Sequence, residues 1–133
     1  MEAEINLGIE GRAALVVGAS KGIGLEIARE LRAEGCRLIT VSRAGRTDFN
    51  MDLMEADQAV LLIKAMELNP PDIIVHVVGG SQGMTDPLGS SELYGKVWRL
   101  NLGIAIDINR AFIPLMQRNC WGRIVHLSSN ATR

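Results

Sequence analysis

Three glycines at positions 18, 22 and 24, with a lysine at 21, are the residues of this chain best suited to holding a phosphate. They lie in Ala13-Ala14-Leu15-Val16-Val17-Gly18-Ala19-Ser20-Lys21-Gly22-Ile23-Gly24-Leu25-Glu26-Ile27-Ala28. Glycine lets the backbone turn sharply and admits an anion where a Cβ would collide. The first amides of a helix have no carbonyl partner of their own, so a helix starting at this turn offers them to a diphosphate. The chemistry on offer is recognition of a phosphate or diphosphate.

The elements around the glycines are those the task requires. An apolar run over residues 13–17 is long enough for a strand buried on both faces. Past the turn, Ile23, Ile27 and Leu31 recur at helical spacing with Ala28 beside them, which predicts a helix over 22–33. Gly35 follows where a helix end favours a residue tolerant of positive φ. Strand, glycine turn and helix together open the dinucleotide-binding folds.

The remaining chain alternates in the same way. Residues 37–42 read as a second strand, 44–47 as a polar loop and 49–52 as a short third strand. Ala, Leu, Met, Gln, Glu and Lys predict a helix over 55–68, stopped by Asn69-Pro70-Pro71-Asp72. The nearly all β-branched 73–78 predicts a central parallel strand, ending in the turn Gly79-Gly80-Ser81-Gln82-Gly83. Ser90 or Ser91 caps a further helical stretch, with Glu92 near its start. Ile104, Ile108, Ala111 and Leu115 mark one apolar face of a long helix, with a kink expected at Pro114. Trp121-Gly122-Arg123 then turns into a last strand over 124–128. Ahead of Gly11, Leu7 and Ile9 are expected to tuck against the sheet. This order specifies an α/β fold: a Rossmann-type, doubly wound parallel sheet in the order 3-2-1-4-5. Ligand belongs at the carboxyl ends of strands one and four, where the winding reverses.

Composition narrows the classes further. A length of 133 residues suits a single domain spanning 1–133, and 47% apolar residues exclude a disordered chain. The net charge of -1, without a Lys/Arg cluster, argues against a nucleic-acid partner. No apolar run reaches the ~20 residues that span a bilayer, so no membrane partner is expected. The start Met1-Glu2-Ala3-Glu4 lacks the basic-then-apolar order of a signal peptide. Cys36 reads as a small buried residue and Cys120 as a loop residue, too few for a disulfide scaffold, so a reducing, cytoplasmic setting is expected. His76 and His126 have no carboxylate or thiolate at ligand spacing, so no metal site is expected.

The spacing G-x-x-x-G-x-G, set in Ala-Leu-Val-Val-Gly-Ala-Ser-Lys-Gly-Ile-Gly, resembles the nucleotide fingerprint of the short-chain dehydrogenase/reductase family. The resemblance extends over nearly the whole chain. It implies cofactor contacts from Gly18, Ser20, Lys21, Gly22, Ile23 and Gly24. Asp52-Leu53 looks like the pair that flanks the adenine, and Val78 and Gly79 stand at the cofactor position after strand four. Asn101, in Leu100-Asn101-Leu102-Gly103, matches the family's helix asparagine, and Pro114-Leu115-Met116 fits the end of that helix. Gly122-Arg123-Ile124-Val125-His126-Leu127-Ser128-Ser129 resembles the strand leading to the catalytic serine, which makes Ser129 that serine. Plainer readings stand beside these: Ser128 and Ser129 could simply end a strand, and Asn101 could serve backbone groups locally.

Two cations bear on the cofactor. Lys21 sits inside the glycine turn and Arg43 directly follows the second strand, where the adenosine ribose is read. An acidic residue there accepts from the 2′-hydroxyl of NAD, whereas a cation suits the 2′-phosphate of NADP. Positions 42 and 43 are Ser and Arg, with no carboxylate before Asp48, so NADP(H) is favoured over NAD(H). The competing reading is that both are ordinary surface charges.

The chain also departs from the family pattern. Val17 stands for the usual threonine, and His76-Val77-Val78-Gly79 stands for Asn-Asn-Ala-Gly, with His76 read as a satisfied buried histidine. In the family a tyrosine about a dozen residues beyond the serine, followed by x-x-x-Lys, moves the proton, and the sequence ends at Arg133 before either. Tyr94 precedes Asn101 and is out of register for that role. The expectation is therefore the N-terminal part of an NADP(H)-dependent carbonyl reductase or alcohol dehydrogenase, inactive alone. The resemblance implies a small carbonyl or alcohol substrate and a homo-oligomer. The alternatives are a non-catalytic dinucleotide-binding module and a truncated product without function.

Overall fold

The structure, a computed structural model, describes residues 4–129. Ten elements follow one another: β1 (Ala13–Val17), α1 (Gly22–Ala33), β2 (Arg37–Ser42), β3 (Phe49–Asn50), α2 (Ala56–Ala65), β4 (Ile73–His76), α3 (Ser91–Trp98), a π turn (Arg99–Gly103), α4 (Ile104–Arg118) and β5 (Arg123–His126). The five strands form one parallel sheet in the order β3-β2-β1-β4-β5, the order expected from sequence.

Strand β1 lies at the centre because all five of its side chains are apolar and can be buried on both faces. It pairs with β2 on one side and β4 on the other, Val17 standing opposite Val41 and His76. Alternation along the strand separates two cores. Leu15 and Val17 face a large layer with Leu62, Met66, Ile108 and Phe112, while the smaller Ala14 and Val16 face α1 through Ala19 and Ala28. Small side chains on that face let the helix approach closely. Fully burying Leu15, Leu62, Ile74, Ile108 and Phe112 contributes about 1.5–3 kcal/mol each.

Helix α1 ends as its sequence asks. Gly35 takes φ +82°, its amide donates to Arg32 O at 3.0 Å, and the Cys36 amide donates to Leu31 O at 3.0 Å. Those two bonds satisfy carbonyls the helix would otherwise leave open. Cys36 is buried, with its thiol on Ile9 O, and burial pushes that thiol up from its ordinary value, with Glu34 adding to the rise.

Several boundaries differ from expectation. The third strand stops at Asn50, because Asp52 turns the chain by accepting the Met54 amide at 3.0 Å. Helix α2 ends at Ala65, well before the prolines, where the Met66 amide tightens onto Ile63 O at 3.1 Å. Strand β4 ends at His76, although the Val77 amide still reaches Val17 O at 2.9 Å. The last strand runs 123–126 rather than 124–128. Ser90 is the cap of α3, its hydroxyl accepting the Leu93 amide at 3.2 Å. The buried face of α4 is Ile104, Ile108, Phe112 and Met116, with Ala111 and Leu115 only partly covered, and the helix runs on through Pro114. Val125 within β5 and Leu127 just after it are exposed, and among the described residues β5 pairs with β4 alone.

Candidate dinucleotide site

A cavity of about 550 Å³ opens where the winding reverses, at the carboxyl ends of β1, β2 and β4. That volume is in the range of small-molecule and cofactor sites. Gly18, Ser20, Lys21, Gly22, Ile23, Gly24, Arg43, Asp52, Leu53, Val78 and Gly79 all line it. These eleven residues come from four separate stretches of sequence, and the parallel sheet brings them together.

The glycine turn is built for close approach. Gly18 has φ +95° and its amide donates to Val41 O at 2.8 Å, so the chain leaves β1 still tied to β2. Gly24, in the first turn of α1, lies so near Gly18 that a Cβ there would stand 1.9 Å from Gly18 O. No side chain caps this helix and no carboxylate occupies its first turn. The partial positive charge of the helix start is therefore open to an anion. On these grounds the residues fit a diphosphate.

The β2 loop folds over the same turn. A Cβ on Gly45 would lie 3.1 Å from Ser20 Cβ, which brings the segment after Arg43 against the glycine turn. Lys21 and Arg43 are the cavity's cations, both exposed, and Asp52 is its carboxylate. Asp48 is engaged elsewhere: its Oδ2 accepts from the Thr40 amide at 2.8 Å and the Thr40 hydroxyl at 2.9 Å. Ser42 lines the cavity, and its hydroxyl donates to Ala44 O at 2.6 Å.

Asn101 lies in the π turn and lines a smaller cavity of about 310 Å³ with His76, His126 and Ser128. Its Oδ1 accepts from the Gly80 amide at 3.0 Å, and its Nδ2 donates to Gly80 O at 2.6 Å and Val97 O at 2.9 Å. The side chain thus serves backbone groups and pins the glycine segment after β4. Ser129 follows β5, exposed at the carboxyl edge of the sheet, and lines neither cavity. Tyr94 donates to Pro87 O at 2.5 Å, which ties α3 to the loop before it.

Among the lining residues that sequence reasoning missed are Met54, Val77, Gly80, Gln82, Leu100 and Ile104. Gly80 and Leu100 are direct neighbours of residues that were singled out, so adjacency carried the only signal.

In the lining of the smaller cavity, His76 and His126 stack at 4.6 Å between ring centroids and 16° between planes. Asn109 joins them: its Oδ1 lies 2.8 Å from His76 Nε2 and its Nδ2 lies 3.3 Å from His126 Nε2. His76 is buried and satisfied, as expected. Burial pushes its imidazole below the ordinary value; the Asn109 bond opposes this and His126 adds to the lowering. The unfolded chain therefore takes up a proton at His76 before the folded one does. Stability from this group is complete above about pH 6.5 and is lost as pH falls below it. Urea unfolding midpoints are expected to drop between about pH 7.5 and 5, and His76→Asn is expected to flatten that slope. An unchanged slope in the variant would refute the assignment.

Among the described residues no helix is long and apolar enough to cross a membrane. The model of the short chain dehydrogenase family matches residues 12–133. D-beta-hydroxybutyrate dehydrogenase of Cupriavidus necator is 26% identical over 139 aligned positions, covering 91% of this chain and 54% of that protein. The solved structure of L-sorbose reductase from Gluconobacter frateurii, complexed with NADPH and L-sorbose, is similar with a TM-score of 0.83 and 23% identity, over 95% of this chain and 55% of that one. A short chain dehydrogenase from Leptospira borgpetersenii with bound NAD+ gives a TM-score of 0.80 at 17% identity, over 97% and 56% of the two chains. The chain spans about half the length of the curated relatives it matches.

Proposed function

The chain belongs to the short-chain dehydrogenase family, and we propose that it carries the NADP(H) site of an oxidoreductase acting on a small carbonyl or alcohol. The observation that supports this reading is the convergence of all eleven expected cofactor residues on one cavity, with Lys21 and Arg43 as its cations. The amides at the start of α1 would take the diphosphate. Asp52 and Leu53 would flank the adenine, and Arg43 with Lys21 would flank the 2′-phosphate. Asp48, already held by Thr40, is not presented to a ribose, which favours NADP(H) over NAD(H).

When bound, the dinucleotide supplies or takes up the hydride. The chain's own residues position. Asn101 holds Gly80 and so fixes the glycine segment beside the cavity. Ser129 would hold the substrate oxygen by its hydroxyl. Residues 1–133 contain no Tyr-x-x-x-Lys, so no phenol beside an ammonium is there to exchange the proton. Residues 1–133 by themselves are therefore read as binding dinucleotide without turnover. Trp98, Leu102, Ile106 and Ile113 expose apolar surface along the α3–α4 run, which supports association with a second copy.

Titration of the purified chain with NADPH and NADH tests the reading. NADPH is expected to bind more tightly by about tenfold, as one phosphate paired with a cation would give. Incubation with carbonyl substrates and NADPH is expected to show no enzyme-dependent oxidation. A folded protein that ignores both dinucleotides would overturn the site, and robust oxidation would overturn the expected inactivity.

A further inference from the structure

Arg99, the first residue of the π turn, has a side chain only 18% exposed, and all its bonds reach outside that turn. Its Nη2 donates to Leu53 O at 2.7 Å, its Nε to Met54 O at 3.3 Å, and its Nη1 to Asp107 Oδ2 on α4 at 2.5 Å. Leu53 and Met54 line the dinucleotide cavity on the side expected for the adenine. Two residues on, Asn101 reaches to Gly80, which also lines the cavity, and Leu100 between them lines it too. Residues two apart in a helical turn face nearly opposite ways, so one turn of chain can tie two parts of the lining.

We propose that Arg99, oriented by Asp107, is a positioning residue that fixes the backbone of Leu53 and Met54 at the spacing the adenosine half of the dinucleotide requires. This rests on the dinucleotide reading of the cavity. Arg99 acts through two carbonyls and touches no ligand. Its planar fork presents separate N–H groups to three acceptors at once, which a lysine ammonium on a flexible stem cannot reproduce. The Asp107 carboxylate holds the fork in the plane that reaches both carbonyls.

The test uses the full chain and two probes, NADPH and 2′,5′-ADP, the latter carrying the adenosine half alone. Arg99→Lys keeps the charge and the stem, so it folds; Asp107→Asn keeps the shape while weakening the hold. Arg99→Lys is expected to lose about tenfold in affinity for both probes, and Asp107→Asn a smaller part of that. Equal losses on NADPH and 2′,5′-ADP locate the effect on the adenosine side. The core variant Ile108→Val, which lowers Tm without touching the cavity wall, is expected to leave both affinities unchanged. Wild-type affinity in Arg99→Lys, or a loss that merely tracks Tm in all three variants, would overturn the proposal. A wild-type chain that binds neither probe would instead overturn the dinucleotide reading beneath it.

Discussion

Gly24→Ala is expected to lower stability by about 2 kcal/mol and to weaken NADPH binding by about a hundredfold or more. The added Cβ would stand 1.9 Å from Gly18 O, 2.9 Å from Gly18 C and 3.3 Å from Ala19 Cα. All three are backbone atoms, so no rotamer change relieves the overlap. The start of α1 must move away from β1 by on the order of 1 Å, against a packed interior that resists such shifts. Overpacking of this kind costs about 1–3 kcal/mol or more, and the better helix propensity of alanine, worth about 1 kcal/mol, offsets only part. The same movement would take the first helical amides off the diphosphate proposed to sit there. Losing two charge-assisted bonds of about 1.5 kcal/mol each corresponds to roughly a hundredfold. Melting curves and a dinucleotide titration of the variant check both numbers. Gly22→Ala provides the contrast, because a Cβ there meets nothing within 4 Å and only its φ of +56° is strained. It is expected to cost about 1 kcal/mol and to leave most of the affinity. Wild-type binding by Gly24→Ala would remove the ground for placing an anion at this turn.

The contrast between the two glycines also explains what sequence could and could not reveal. Helix α1 was legible to the residue because its apolar spacing, its starting glycine and Gly35 at its end all agree. The strand order followed from the alternation of elements and the handedness of crossovers, which leave few topologies open. The cavity lining was legible where glycines and charges cluster in a motif, and silent where apolar residues such as Leu100 and Ile104 do the lining. Apolar side chains look the same in a sequence whether they face a core or a ligand. The π turn was not legible at all: Arg99-Leu100-Asn101-Leu102-Gly103 has ordinary helical composition, and the wider hydrogen bonding is set by tertiary contacts. Gly103 packs so closely on Trp98 that a Cβ would lie 2.8 Å from its ring. Boundaries such as those of β3 and α2 moved because single local bonds, the Met54 amide to Asp52 Oδ1 and the Met66 amide to Ile63 O, ended an element before propensity did.

The His76–Asn109–His126 cluster and the Arg99–Asp107 pair both tie the carboxyl end of the sheet, or the segment leaving it, to α4 or to the turn preceding it. The α3–α4 helical run therefore does more than cover the sheet. It reaches Leu53 and Met54 through Arg99, Gly80 through Asn101, and the ends of β4 and β5 through Asn109. Strand ends that would otherwise fray into loops are held on both sides of the cavity, and that hold is what a pre-formed binding site requires.

Arg43→Asp is expected to invert the cofactor preference. Arg43 follows the end of β2 and lines the cavity beside Ser42, while the loop beyond it rests against Ser20. On the proposed reading, removing the guanidinium would take away a charge-assisted bond to the 2′-phosphate worth about 1.5–3 kcal/mol, and the new carboxylate would add repulsion. Arg43 is exposed, so solvent and salt screen the pair and the lower end of that range applies. NADPH affinity is expected to fall roughly tenfold to thirtyfold, the repulsion accounting for the upper figure. NADH affinity is expected to rise by a few fold, because a carboxylate at the end of the second strand can accept from the 2′-hydroxyl. Lys21 supplies the remaining cation, so Lys21→Ala is expected to weaken NADPH binding less than Arg43→Asp and to leave NADH nearly unaffected. Salt gives an independent check. Wild-type NADPH binding should weaken as ionic strength rises while NADH binding changes little, and Arg43→Asp should abolish that difference. A variant that still prefers NADPH, with its salt dependence intact, would mean that Arg43 is an ordinary surface charge and that the 2′-phosphate is read elsewhere.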